Sequence, residues 1–405
     1  MTRRILLVTF GSYGDLNPFI GLAKELNRRG HLAIVASNEE WRNHVESAGI
    51  EFRPVRPGWD VNLDPNDYER YLTTNGVFTD FRASYGDLLN AARDVDAMVT
   101  LTLATAGPLV ARKTGMPWVS VVLEPLSFFS QCEPLLMPDG LSLAQMKQFT
   151  FAFAEPVHRL RAELGLPGGL DPFLEEYLTA DLVLGLFSPF LATRQPDWPP
   201  SSVVTGFVQF DQVSEKSEIP AALQSFLESG EPPIIFTISS DAANSPVDVF
   251  YEESVTATQF LGRRAVLLGL GLNEQWDRNI LCVDRAPFSR IFPYAAAIVH
   301  HGGAGTTAIA LRAGSPMLVV PSSFAQPDTA ARLVRLGVAR AVPRSLYSAA
   351  VVVPELWRLL RKPGYRLRAR TIAPQVAGED GASKACDAIE GMLRTRHSPV
   401  RGAVA

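Results

Sequence analysis

Ile298-Val299-His300-His301-Gly302-Gly303-Ala304-Gly305-Thr306-Thr307-Ala308-Ile309-Ala310-Leu311 is the stretch on which the reading of this chain turns. The apolar run Ala295 to Val299 has the content of a buried strand, stops at two histidines, and passes through glycines into an Ala/Leu-rich helix. The first N–H groups of that helix have no internal partners, and the aligned peptide dipoles leave partial positive charge there. An anion is the expected occupant. Gly302, Gly303 and Gly305 carry no Cβ to hold a phosphate away, while His301, Thr306 and Thr307 add donors at the same end. The spacing is neither the Walker pattern, which needs Gly-Lys-Ser/Thr, nor the dinucleotide pattern G-x-G-x-x-G. Tight packing alone also favours glycine in such a turn, but it has no use for an imidazole and two hydroxyls. Neighbouring histidines point apart and no third ligand stands at zinc-like spacing, so no metal is expected.

Length and composition set the frame. At 405 residues the chain exceeds one ordinary core, so two domains of about 200 residues are expected. A net charge of −4 gives no basic field for nucleic acid. Cys132, Cys282 and Cys386 are odd in number and far apart, which fits a reducing cytoplasm rather than a disulfide framework. The apolar run after Arg3-Arg4 is short and meets Gly11 and Asp15, so it reads as a first strand and not as a leader. The uncharged stretch Ala97 to Ala111 falls short of the roughly 20 residues of a membrane span. Peripheral contact with lipid stays open.

Taken in order, the chain alternates. A strand at Arg4 to Phe10 leads through Gly11-Ser12-Tyr13-Gly14-Asp15 to a helix that Asn17 can cap and Gly30 stops. A strand at Leu32 to Ala36 precedes a helix through Ala48, and further strands are expected at Ala97 to Leu101, Pro117 to Val122, Asp181 to Phe187 and Val203 to Val204. The second half repeats the pattern with strands at Ile234 to Ile238 and Ala265 to Leu268 ahead of the histidine-glycine bend. Such alternation predicts an α/β fold with two doubly wound, Rossmann-like domains. The charged run Asp211 to Pro220 has linker composition, which sets domains at 1–210 and 221–380 and a terminal helical segment at 381–405. Ligands of such sheets bind at the carboxyl ends of the strands. Asp15 stands at one such end, either as a turn residue capping the next helix or as a group offered to a ligand.

The string His-His-Gly-Gly-Ala-Gly-Thr-Thr, followed by Ala313-Gly-Ser-Pro-Met-Leu-Val-Val-Pro321 and Gln326-Pro327, resembles the nucleotide-sugar site of the UDP-glycosyltransferase superfamily, glycosyltransferase family 1, with its GT-B fold of two domains facing across a cleft. Gly11-Ser12-Tyr13-Gly14-Asp15 with Pro18-Phe19 is similar to the bacterial and sterol branch, and Gln195-Pro-Asp-Trp-Pro-Pro200 with Thr205-Gly-Phe207 resembles bacterial rhamnosyltransferases. The resemblance implies an inverting, metal-independent transfer from a UDP- or dTDP-sugar, a co-substrate rather than a cofactor, to a hydroxyl of an apolar, lipid-like or natural-product acceptor. It makes Asp15 the general base, and it assigns Ser240, Ala286, His301, Gly302, Gly303, Gly305, Thr306, Gln326 and Asp328 to the donor. Ser12, Phe128 and Phe129 fall to the acceptor, and the terminal helix crosses back to the first domain.

One departure stands out. Ala325 occupies the place where relatives carry an acid that binds the donor sugar, so either the sugar lacks those hydroxyls, as a deoxysugar does, or Asp328 supplies the carboxylate. A catalytically impaired binding or auxiliary protein is the alternative, and an epimerase on a similar fold has no motif behind it. Asp94-Val-Asp96 matches a metal-binding D-x-D but is expected in a helix-to-strand turn, and no G-x-S-x-G elbow is present.

Overall fold

The computed structural model describes residues 2–56, 81–133, 142–208, 210, 219–238, 249–269, 274–322 and 325–396. Two seven-stranded sheets carry it. The first contains β1 (Arg4–Val8), β2 (Leu32–Ser37), β3 (Glu51–Pro54), β4 (Ala97–Leu101), β5 (Trp118–Val122), β6 (Leu182–Gly185) and β7 (Ser202–Val204), in the order β3-β2-β1-β4-β5-β6-β7. All neighbours in it are parallel, with Ile5 opposite Ala33 on one side and Ala97 on the other. The second contains β8 (Ile234–Thr237), β9 (Ala265–Leu268), β10 (Glu274–Asp277), β11 (Ile280–Val283), β12 (Ala297–His300), β13 (Met317–Val319) and β14 (Ala339–Ala341), in the order β10-β11-β9-β8-β12-β13-β14.

Strands β1, β4, β5 and β12 are buried along their length, apart from the half-buried Arg4 at the start of β1, which is why they read as continuous apolar runs rather than alternating ones. In each sheet the strand order reverses beside the first strand, between β1 and β4 and between β8 and β12. Crevices open at such switch points, at the carboxyl ends of the strands. The bends after β1 and β12 both lie at these ends.

Two local features differ from the sequence expectation. The first helix begins at Tyr13, not after Asn17, because Ser12 and Asp15 close a capping box that starts it earlier. Pro18 then sits inside the helix, and Asn17 Oδ1 pairs with His44 Nε2 at 3.1 Å. The second is the antiparallel pair β10–β11 at one edge of the second sheet, two short strands joined by a turn at Arg278-Asn279.

The helix Gly381–Arg396 returns to the first sheet. Ala385, Cys386, Ile389 and Leu393 pack in the same core as β1, β4 and β5, and Arg29 bonds Asp387 at 2.6 Å and Ser383 Oγ at 2.6 Å. At the crossing, a Cβ on Gly381 would stand 2.5 Å from the carbonyl oxygen of Phe207, so only glycine lets the two backbones pass. Glu379 ties the same place, accepting from Ser188 Oγ at 2.5 Å. The expected linker residues 211–218 lie outside the described residues.

Candidate active site

The bend after β12 is shaped by Gly302. Its φ of +97° belongs to the left-handed region, and a Cβ there would stand 3.0 Å from Val319 Cγ1. The Gly302 N–H donates to His300 Nδ1 at 3.1 Å, which places the proton of that buried ring on Nε2. Gly303 then enters the helix Ala304–Ala313 with extended backbone and no side-chain cap. The first intrahelical bond runs from Thr307 N to Gly303 O at 2.9 Å, so the turn before it presents its N–H groups outward. A Cβ at Gly305 would meet nothing within 4 Å, and this face of the turn opens to solvent.

Unspent donors surround the turn. Among the described residues His300 Nε2, His301 Nδ1 and Thr307 Oγ1 are buried without a hydrogen-bond partner. The His301 ring folds over Gly303, where a Cβ would collide with its Nε2. Burial pushes both imidazoles down, His300 to about 3 with help from His301 and His301 to about 4, so both are neutral near pH 7 and each offers one N–H. Unpaired buried polar groups are costly, and an anion accepting from them would relieve that cost. Thr306 is half-buried beside them.

Gln326 opens the helix Gln326–Arg335, and its carbonyl lies next to Gly302. Its Oε1 accepts from Ser322 N at 2.9 Å and Ser322 Oγ at 3.0 Å. Asp328, one position short of a turn further on, is 2% exposed and held by Arg332 Nε at 2.5 Å. Arg332 also reaches Glu133 at 2.6 Å and the Leu191 carbonyl at 3.1 Å, both in the first domain. Burial raises the Asp328 carboxyl and Arg332 opposes that rise. The carboxylate that was to replace the missing acid at Ala325 is thus already taken by an arginine that bridges the domains. Ala286 is half-buried just past β11, at the same edge of the sheet as the bend, and Ser240 lies outside the described residues.

At the carboxyl end of β1, Asp15 Oδ2 accepts from Ser12 N at 2.8 Å and Ser12 Oγ at 3.0 Å. Gly11, at φ +113°, has no Cβ to collide with that carboxylate. Asp15 is half-buried, so it caps its helix while remaining at the strand end. The Ser12 hydroxyl is spent within the cap, accepting from Gly14 N at 3.2 Å. Phe128 is buried and stacks on Trp198 with ring centroids 3.8 Å apart, which makes it core rather than cleft wall. Phe129 is half-buried at φ +46°, the one non-glycine residue with positive φ among those described. Such backbone strain concentrates at ligand sites.

One residue went unflagged in the sequence. Glu124 follows β5, and its half-buried side chain makes no hydrogen bond or ion pair among the described residues. Burial, then the charges of Asp15 and Asp328, raise its carboxyl to about 8. The turn it opens, Pro125–Phe128, packs on the helix Gln326–Arg335 of the second domain. A lone acid closing an apolar strand was the available clue, the same one that marks Asp15.

Two doubly wound α/β sheets, one all-parallel and one with an antiparallel edge pair, are the architecture of the GT-B class. The comparisons agree along the whole chain. Residues 5–107 match the glycosyltransferase family 28 N-terminal domain, and residues 272–390 match the erythromycin biosynthesis protein CIII-like C-terminal domain. O-mycaminosyltylonolide 6-deoxyallosyltransferase of Streptomyces fradiae is 31% identical over 435 residues, covering 98% of this chain and 100% of that one. A sterol 3-beta-glucosyltransferase of Neurospora crassa is 28% identical over 95% of this chain, which spans 27% of that longer protein. Among solved structures, the glycotransferase of kitacinnamycin superposes with TM-score 0.74 at 21% identity, covering 97% of this chain and 99% of that one. The glycosyltransferase VinC in complex with dTDP gives 0.67 at 20%, covering 96% and 100%. The chain belongs to the UDP-glycosyltransferase superfamily, glycosyltransferase family 1, and is a glycosyltransferase. No helix among the described residues is long and apolar enough to cross a membrane.

Proposed function

We propose that the protein moves a deoxysugar from a nucleotide diphosphate, dTDP or UDP, to a hydroxyl of an apolar natural-product or sterol-like acceptor in the cytoplasm. The observation that carries this is the uncapped first turn after Gly303, lined by neutral imidazoles and the unpaired Thr307 hydroxyl. The diphosphate docks on that turn, with Gly302, Gly303, Gly305, His301 and Thr306 around it. Asp15 removes the acceptor proton as its oxygen forms a bond to the anomeric carbon. The bond from that carbon to the diphosphate breaks on the opposite face, which inverts the centre. The N–H groups and neutral histidines receive the charge that grows on the leaving phosphate, so no metal ion is required.

The donor's deoxy character rests on Ala325 and on Asp328, whose carboxylate is bound by Arg332. Ala325 offers no acceptor to extra sugar hydroxyls, and the buried Asp328 has one carboxylate oxygen committed to Arg332. The Streptomyces relative's name, a 6-deoxyallosyltransferase, and the dTDP bound in VinC support the same direction. The test pairs dTDP- and UDP-sugars with macrolide aglycones and sterols and follows nucleotide diphosphate release. Release should require an acceptor, survive a chelator, prefer a dTDP-deoxysugar, and give a product of opposite anomeric configuration. No release with any pair would overturn the reading.

A further inference from the structure

The bend that carries Asp15 is tied to the neighbouring strand end by an indole. Trp41 closes the 3-10 turn Glu39–Trp41 that follows β2, and its Nε1–H donates to the Gly11 carbonyl at 3.2 Å. That carbonyl belongs to the same peptide unit as the Ser12 N–H, which donates to Asp15 Oδ2 at 2.8 Å. The C=O and N–H of a trans peptide point in opposite directions, so one plane carries the indole at one edge and the carboxylate at the other. Trp41 is 8% exposed, with the Tyr13 ring edge-on at 4.6 Å and the His44 ring at 6.1 Å.

Gly11 is the reason the plane needs a tie. At φ +113° it clears the Asp15 carboxylate, with which a Cβ would collide, but glycine is also the residue whose torsions are least restrained. The other anchors of the bend act on either side of the Gly11–Ser12 peptide rather than on it. Ser37 Oγ donates to the Thr9 carbonyl at 2.6 Å, and Thr9 Oγ1 donates to the Asp15 carbonyl at 3.1 Å. A capping box requires only the Ser12 N–H and hydroxyl, so the buried indole beyond the peptide is an addition to it. Hydrogen bonds in such a chain polarise one another, and a donor on the carbonyl strengthens the N–H toward the carboxylate.

We infer that Trp41 is a positioning residue for the reaction: by holding the Gly11 carbonyl, its indole N–H fixes the peptide whose Ser12 N–H aims the Asp15 carboxylate. The inference rests on the proposed role of Asp15 as base and adds what sets the direction and the charge of that base.

Titratable groups around the bend come from several elements. Tyr13 lies on the same first turn, and Glu124, at the end of β5, responds to the charge of Asp15. His44, on the helix Arg42–Ser47, packs on Tyr13 at 5.1 Å and pairs with Asn17, and burial holds its imidazole below the ordinary value. Removing the indole N–H takes no charge from any of them. Donors to a carboxylate favour its ionised form, so weakening the Ser12 N–H means that the base is lost at a higher pH.

Trp41→Phe removes the donor and keeps a ring against Tyr13 and His44, and benzothienylalanine at position 41 removes it without a change in ring size. In the full chain both should lower acceptor kcat/KM about three- to tenfold and move the acidic limb of its pH profile up by about half to one pH unit, the equivalent of one hydrogen bond. Affinity for dTDP, read by calorimetry, should stay within about twofold. Ser37→Ala loosens the same bend without touching the Gly11–Ser12 peptide, and it should lower the urea midpoint while leaving the limb in place. Added to Asp15→Asn, Trp41→Phe should cost no more than about a further twofold, because the group it positions is already gone. An unmoved limb in the benzothienylalanine variant, an equal shift in Ser37→Ala, or full additivity with Asp15→Asn overturns the inference and leaves the transferase reading intact. Turnover of Asp15→Asn within about threefold of wild type overturns the base assignment instead.

Discussion

Asp15 closes a helix cap and, in the proposed chemistry, is the base, two roles that substitution can separate. Its Oδ2 accepts from the Ser12 N–H and hydroxyl and so closes the capping box of the helix Tyr13–Arg28, while the proposed chemistry needs the same group as a base. Asn keeps a side-chain oxygen for the cap but cannot take the acceptor proton. Ala loses both. The capping contribution is about 0.3–1.5 kcal/mol. The loss of a general base is about 10²–10⁴ in rate, or roughly 2.7–5.4 kcal/mol of barrier. The two effects differ enough in size to be told apart. Asp15→Asn should therefore keep its urea midpoint near wild type while kcat falls by about 10²–10⁴. Ser12→Ala, which breaks the cap and leaves the carboxylate, should cost about 0.5–2 kcal/mol of stability and far less turnover. Turnover is read as nucleotide diphosphate release at saturating donor, on protein shown by circular dichroism to be folded. If Asp15→Asn stays within about threefold of wild type, Asp15 is a cap and nothing more.

Gly302→Ala forces a side chain into φ +97° against Val319, and it should weaken donor binding by roughly tenfold or more, measured as dTDP affinity by calorimetry. Arg332→Met leaves Asp328 and Glu133 without their shared cation, and removing one partner of a buried pair costs about 3–5 kcal/mol. Differential scanning calorimetry should show an earlier first transition, and an unchanged trace would mean that the bridge between the domains carries no weight. His300 and His301 have folded pKa values below the unfolded one, so the unfolded chain binds more protons between about pH 6.5 and 4. Stability should be full above about 6.5 and decline as pH falls, by up to about 1.4 kcal/mol per unit for each histidine, a slope that His300→Asn should reduce in urea melts.

The alternation of apolar runs and helix-length segments made the two sheets legible, because strands buried on both faces must be apolar throughout. The bend at Gly302 was legible for a similar reason: glycine, histidine and threonine together suit an anion and little else. What escaped was longer in range. Asp328 and Arg332 are a local i,i+4 pair, but the bonds of Arg332 to Glu133 and to the Leu191 carbonyl join residues distant in sequence and brought close only by the meeting of the domains. The ring of Phe128 stacks on Trp198, seventy residues away, and no local pattern separates a cleft aromatic from a core one. Glu124 carries no motif, and its raised carboxyl comes from burial first and then from Asp15 and Asp328, none of which its sequence neighbours announce. The early start of the first helix was different, since Ser12 and Asp15 have the spacing of a capping box and Pro18 drew attention away from it.

The return of the helix Gly381–Arg396 makes the first domain a closed loop in topology, with its last core layer supplied after the second domain has been completed. During synthesis that domain must wait for the final segment before its hydrophobic surface is sealed. An engineer exchanging sugar specificities between relatives therefore has two junctions to respect, near Phe207 and near Gly381, where the backbones touch. A single splice would graft a donor module onto an acceptor module that is missing a wall.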